Sequence, residues 1–415
     1  MPFYSPESRR LAAFFAVVYF AQGMWGLPNQ AIKMALKDRR VSASGIEAFF
    51  AAGTLPWLLK PAYGLLSDLV PIAGRRRVPY LVMACALAAG SALAISALGG
   101  VDPSGILLLL GAMALGLAFT DVLTDALMVE KGRPSGLTGS YQGVQWAAVK
   151  AGSVLVGVVG GHLAATRAVG TAFAIAGVFP LLSLAMVGLC VREERRVADR
   201  AALARTLDGI RQAVGSRDLW MVAGFVFFWT FSPSFDTALL FHQSDVLQFG
   251  QRFIGVLGAV GAVGGIAGAL AYPLLSRRMR LRRLINLAIG LGVAGTLAYL
   301  AYADPVTALA IEATYGCAGT IATLAFMELA AKAAPRHVEA TFFALLMAVY
   351  NAGARVSGIV GGLLYDQVGY PTLVAMSAAL TALAWLLVPY LDIDGLEARA
   401  LAAVRETDDA SPRLT

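Results

Sequence analysis

Asp121 and Asp125 stand four residues apart in the stretch DVLTDALMVEKG (121–132), a spacing that puts both on one face of a helix. Two carboxylates on one apolar face raise each other's affinity for protons, because like charge and lost water both favour the neutral form. That is the chemistry of a proton-coupling site. Lys60, at comparable depth in LPWLLKPAYGLLSD (55–68), is the cation that could neutralise one of them. A fixed Lys60–aspartate pair tying two helices together is the structural alternative. Two more cations, Lys150 and Arg355, also interrupt apolar runs. Cations so placed suit an anionic solute, and arginine in particular meets carboxylate or phosphate with a two-pronged contact. For Arg355 the structural alternative is a pair with Asp236 or Glu312.

Amides and rings accompany these charges: Tyr19, Gln22 and Trp25, then Gln142, Gln145 and Trp146, then Trp229 and Phe231, and finally Tyr350. A flat heterocycle could stack on such rings while amides read its edge; ordinary helix packing is the other reading. Gln22, Gln145, Trp146 and Tyr350 therefore join Lys150 and Arg355 as candidate substrate-binding residues. The three histidines (His162, His242, His337) and three cysteines (Cys85, Cys190, Cys317) are scattered, so neither a metal site nor a disulfide framework is expected. No nucleophile–base pair stands at workable spacing, and no phosphate-binding loop sequence is present. An enzyme, a bound cofactor and direct use of ATP are all disfavoured.

The elements that must carry these residues follow from composition. Of 415 residues, 58% are hydrophobic and 14% charged, with mean hydropathy +0.69; soluble domains are about a quarter charged. A bilayer crossing needs roughly 20 apolar residues. Twelve segments qualify: 11–32, 45–66, 79–98, 105–129, 141–163, 170–191, 219–243, 254–275, 283–302, 306–330, 341–364 and 372–391. The first lacks a cleavage pattern and is expected to be retained. The chain is thus predicted to be an all-α membrane protein embedded in the lipid bilayer.

Lysine and arginine orient it. The N-terminus, alternate connections and the C-terminus carry 24 basic residues, the opposite connections six, and Lys60, Lys150 and Arg355 fall within spans. Both termini are therefore expected to be cytoplasmic. This distribution explains the net charge of +7 as a topology signal and removes the reason to expect nucleic acid. Residues 192–218 form a cytoplasmic linker between two six-helix bundles, 1–191 and 219–391, with 392–415 as a cytoplasmic tail. A 201-residue offset aligns GVVGGHL (157–163) with GIVGGLL (358–364), Pro134 with Pro335, and Lys150 with Asn351. An internal repeat of this kind marks parallel-repeat transporters, which hold substrate between their halves near mid-membrane. Lys150 lies some ten residues into its span and Arg355 about fifteen. At about 1.5 Å per residue both come near that depth.

The segment GLLSDLVPIAGRRR (64–77) resembles the loop between spans two and three of the major facilitator superfamily. More particularly, LPWLLKPAYGLLSD, GRRRVPYL, DVLTDALMVEKG and LTGSYQGVQW together resemble the folate–biopterin transporter family. The resemblance covers 55–82 and 121–146; the second half matches in general pattern only. It implies two pseudo-symmetric six-helix bundles and a secondary transporter working by alternating access. Folates, pterins or S-adenosylmethionine are the implied solutes, protons the expected coupling ion, and a monomer in a bacterial cytoplasmic (inner) membrane the expected setting. It further implies a cytoplasmic gate in which Asp68, Arg75, Arg76 and Arg77, with Glu130 nearby, pair with the opposite half when the cytoplasmic side is shut. The second-half loop YPLLSRRMRLRR lacks the aspartate, so the gate should be asymmetric. A muropeptide-type permease, which shares the GRRR loop, and a non-transporting assembly factor on the same fold are the alternatives. The proline-broken FSPSFD (231–236) is a candidate hinge or solute contact.

Overall fold

The computed structural model describes residues 5–99, 103–132, 135–193, 208–209, 211–212, 214–333 and 339–398. Most of the 192–218 linker, the end of the 392–415 tail, and Pro134 and Pro335 of the repeat lie outside the described residues. The described elements are helices throughout. The first half holds α1 (Pro6–Gly23), α2 (Asn29–Asp38), α3 (Ala43–Gly53), α4 (Lys60–Leu69), α5 (Val78–Ala97), α6 (Pro103–Gly132), α7 (Thr138–Leu155), α8 (Gly161–Ala165) and α9 (Val169–Cys190). The second holds α10 (Arg217–Phe231), α11 (Asp236–Phe241), α12 (Gln251–Ser276), α13 (Leu281–Ala298), α14 (Pro305–Ala333) and α15 (Glu339–Leu387).

Among the described residues nine continuous segments are long and apolar enough to cross a membrane, where the sequence predicts twelve. Three departures account for the difference. The 45–66 segment divides into α3 and α4 around a tight turn at Leu55–Leu59. Pro56 and Pro61 withdraw backbone donors there, while the Thr54 hydroxyl turns back onto the Phe50 carbonyl at 2.7 Å. The 219–243 segment divides at Pro233 into α10 and α11. The two last segments run on as α15, turned only at Gly369 with φ 74° and ψ 177°. That conformation is essentially reserved for glycine.

A broken helix inside a bilayer needs its freed backbone groups satisfied by neighbours. At the α10–α11 break α15 does this. Ser357 donates its hydroxyl to the Ser232 carbonyl at 2.5 Å, and the Ser234 N–H donates to the Ser357 carbonyl at 3.2 Å. The Ser232 hydroxyl reaches the Ser377 carbonyl at 2.9 Å, so both arms of α15 brace one break. Each break also delivers a charge: Lys60 opens α4 and Asp236 opens α11.

Apolar packing is segregated. One cluster joins α1, α5, α6, α7 and α9 around Phe14, Phe15, Tyr19 and Tyr141. Another joins α10, α13, α14 and α15 around Phe225, Ile285 and Phe326. Among the described residues, buried side chains of both halves share a cluster at one end only, as Met34 with Leu240 and Ile254, and Phe241 with the Ile32–Phe50 group. We term this end the far face, and the end carrying Arg75–Arg77 and the Arg277–Arg283 loop the basic face.

Candidate functional site

The expected proton site forms one cluster within the first half. Lys60 Nζ lies 2.5 Å from Asp121 Oδ2 and 4.7 Å from the centre of the Trp57 ring. Asp121 is only 5% exposed, and Lys60 is its ion-pair partner. Gln22 Nε2 donates to the other Asp121 oxygen at 2.8 Å. Asp125 accepts from the Tyr19 hydroxyl and, at 3.4 Å, from Gln145 Nε2. Asp121, Asp125 and Lys60 thus meet as the sequence predicts, in the paired arrangement that stood as the structural alternative. Gln22 and Gln145, expected to read a solute, are turned onto these carboxylates instead.

The basic-face network is also internal to the first half. Arg77, 5% exposed, bridges Asp68 and Glu130 at 2.8 Å each and donates to the Ser67 hydroxyl at 2.6 Å. Arg76 lies 3.6 Å from Asp68. Glu193 gathers the backbone N–H groups of Arg76, Arg77 and Val78 at 2.7–3.0 Å. Arg75 serves the turn itself, exchanging both backbone bonds with Ile72 around Ala73 and Gly74, each at positive φ. The expected pairing with the opposite half is not made among the described residues: Arg282 pairs with Asp394, and Lys332 with Glu328 and Glu397.

Between the halves lies a cavity of about 880 Å³. First-half residues Asn29, Gln30, Lys33, Val156 and Gly157 line it together with second-half Trp229, Asp236, Gln243, Glu312, Tyr315 and Tyr350. Of the six expected binding residues, Tyr350 is on this wall; Gln22, Gln145, Trp146, Lys150 and Arg355 are not among the lining residues. Lys150 passes between helices instead, its Nζ lying 3.2 Å from where a side chain on Gly265 would begin. Arg355 keeps a buried Nε without a hydrogen-bond partner. Neither alternative partner takes Arg355: Asp236 goes to Lys33, and Glu312 accepts from the Tyr302 hydroxyl at 3.2 Å.

The cavity's roof is the far face, and polar bonds across the halves seal it. Lys33 Nζ is 2.5 Å from Asp236 and 3.7 Å from Glu47, which accepts from the Thr237 hydroxyl. Lys37 pairs with Asp245 and donates to the Ser244 hydroxyl at 2.6 Å. Gln30 donates to Gln251 at 3.0 Å, and the Ser44 hydroxyl to Asp366 at 2.6 Å. None of these groups was singled out from sequence as a latch. One signal was available: Lys33 and Lys37 are four apart directly after an apolar span, so they share a face. Counted as loop charges, they passed for topology signals.

The glycines of the internal repeat sit on this seam in equivalent roles. A side chain on Gly157 or Gly161 would strike the backbone of Gly255 or Ala259 across the halves at 2.5–2.9 Å. Gly358 and Gly362 face Glu47 and Ser44 across the halves at 2.7 Å. The middle pair, Gly160 and Gly361, instead meets its own half, at the Leu27 and Ser234 carbonyls.

Membrane-length helices surround a cavity that both halves line, and solved structures share the fold. The chain superimposes on a nucleoside transporter, NupG, with TM-score 0.71 at 13% identity, covering 94% of this chain and 99% of that one. A D-xylose–proton symporter gives TM-score 0.71 at 14% identity over 92% and 96%. An inward-open xylose transporter of E. coli gives 0.70 at 14% over 94% and 99%. Residues 22–388 match the model of the BT1 family, and the chain belongs to that family. Its relatives include a folate-biopterin transporter of Synechocystis, 30% identical over 85% of this chain and 74% of the relative. A probable folate-biopterin transporter 4 of Arabidopsis thaliana is 25% identical over 85% and 88%.

Proposed function

We propose that this protein is a secondary transporter that moves an organic anion of folate or pterin type by alternating access. Residues 1–191 and 219–391 act as two six-helix bundles making twelve crossings, joined by the 192–218 linker and followed by the 392–415 tail. The observation that carries this reading is the cavity: both halves line it, cross-half bonds seal its far face, and described ion pairs on the basic face stay within each half. Its volume of about 880 Å³ falls in the roughly 300–1,000 Å³ range of small-molecule sites. With the basic loops cytoplasmic, this is an inward-open state. When the basic face closes, Asp68, Arg76, Arg77 and Glu130 exchange partners with the opposite half, and the Asp121–Lys60–Asp125 cluster exchanges protons. The folate-biopterin transporters among its relatives suggest the solute class.

A second reading draws on Asp236 and Glu312, the two carboxylates on the cavity wall. They suit a solute with a cationic group, such as S-adenosylmethionine. Thermal unfolding of the purified protein against pterins, folates, S-adenosylmethionine and anhydromuropeptides separates the possibilities, since a ligand stabilises the folded state it occupies. Folates or pterins are expected to raise the midpoint. A rise with S-adenosylmethionine alone transfers the site to the second reading. In proteoliposomes, Asp121→Asn is expected to abolish uptake driven by a pH gradient while sparing exchange; unaltered uptake removes the cluster from coupling.

A further inference from the structure

We infer that Lys33 is the cavity's anion-binding cation, and that a carboxylate of the solute displaces Asp236 from it, so that occupancy itself unlatches the far face. This rests on the organic-anion reading above and assigns the contact to a residue the sequence placed in a connecting segment.

Four observations carry it. Lys33 is the cation among the described residues that line the cavity. Its principal partner, Asp236, is wedged at 2.5 Å yet 76% exposed, because its other side opens into the cavity, whereas Lys33 is 12% exposed. A ligand arriving from the cavity therefore reaches the carboxylate's back and the ammonium's flank. Third, Lys33 and Asp236 belong to opposite halves, so breaking this pair removes a bond across the seam. Fourth, Glu47 stands 3.7 Å from Lys33 on the lysine's own side. With Phe50 under the ammonium at 5.7 Å, it keeps Lys33 held in the first half when Asp236 leaves. The displaced Asp236 faces solvent rather than apolar surroundings, so it is not stranded as a buried charge.

Exchange of one carboxylate for another on a shared lysine predicts competition. Removing the internal competitor strengthens anion binding, and removing the lysine weakens it. A ligand that shifts a two-state balance does so only by contacts that differ between the states, and this pair supplies one.

The test uses purified full-length protein and three probes: folate, p-aminobenzoylglutamate (the carboxylate tail alone) and pterin (the ring alone). Binding is measured by calorimetry, and far-face opening by maleimide labelling of Met34→Cys in a background lacking the three native cysteines. Met34 is buried in the seam with Leu240 and Ile254 and is not among the residues lining the cavity. Lys33→Ala is expected to weaken folate and p-aminobenzoylglutamate at least about tenfold and leave pterin unchanged. Asp236→Asn is expected to tighten both carboxylates and to raise Met34→Cys labelling without ligand. Lys33→Arg, which retains the charge, guards against a folding defect and is expected to keep most of the affinity. Carboxylate binding that ignores both substitutions, or no binding of either carboxylate to the unsubstituted protein, overturns the inference. Tail binding that depends on Lys33, with folate no tighter than the tail, supports it while overturning the folate reading.

Discussion

At the scale of single residues, the energetics hinge on charges that water does not reach. Asp121 is almost fully buried and pairs with Lys60. Removing one partner of a buried pair typically costs about 3–5 kcal/mol, whereas removing both can be close to neutral. Lys60→Ala is therefore expected to lower the unfolding midpoint sharply, and Lys60→Ala with Asp121→Asn to recover most of the loss. Equal destabilisation by the single and double variants would show that the pair is not what Lys60 supplies. Arg77 is the parallel case on the basic face. Arg77→Lys keeps the charge but loses the fork that serves Asp68, Glu130 and Ser67 together, so thermal stability should fall despite conservation of charge. Much of this was legible in sequence, because charges in apolar helices are rare enough to be suspicious one by one. Their partners were not legible. Nothing in the order of residues says that Asp236 meets Lys33 rather than Arg355, since that choice is made by helices 203 positions apart in the chain.

At the scale of elements, close approach of helices depends on the glycine set at 157–161 and 358–362. Membrane helices pack most tightly where small residues let backbones meet, and here the outer glycines touch the opposite half while the central one touches its own. The two classes should respond differently to a methyl group. Gly157→Ala or Gly362→Ala is expected to wedge the seam and raise maleimide labelling of Met34→Cys. Gly361→Ala, pressed against the Ser234 carbonyl, should lower thermal stability without selectively opening the seam. Gly143→Ala on α7, where an added methyl meets nothing within 4 Å, is the control and should do neither. Labelling that rises equally in all four would refute a seam-specific role. The 201-residue repeat was visible in sequence through these same glycines, but its division of labour was not, because a glycine's neighbours are set by tertiary packing. The break at Pro233 was half legible, because proline interrupts FSPSFD, whereas the 45–66 segment read as one continuous span despite Pro56 and Pro61. That Ser357 would close the break at Pro233 depended on a helix more than a hundred residues away.

At the scale of the whole molecule, the all-helical membrane class was legible, whereas the number of continuous spans and the conformation were not. Hydropathy leads to helices that cross a bilayer because lipid permits so few ways to satisfy a backbone. Which face stands open is a matter of small differences between alternative pairings, and those leave no periodicity to read. The seam predicts a labelling pattern in membranes: Gln142→Cys, exposed at the start of α7, should react readily, and Met34→Cys, buried in the seam, slowly. The reverse order would mean that the resting population favours the other face. One consequence belongs to Gly369. With a lone residue of slack between them, and both held at Ser232, the 345–368 and 370–387 arms of α15 are expected to move together. A short flexible peptide inserted after Gly369 should sever that link, abolishing uptake in a protein that still folds. The same insert after Gly99, another positive-φ glycine with open space around it, should pass unnoticed.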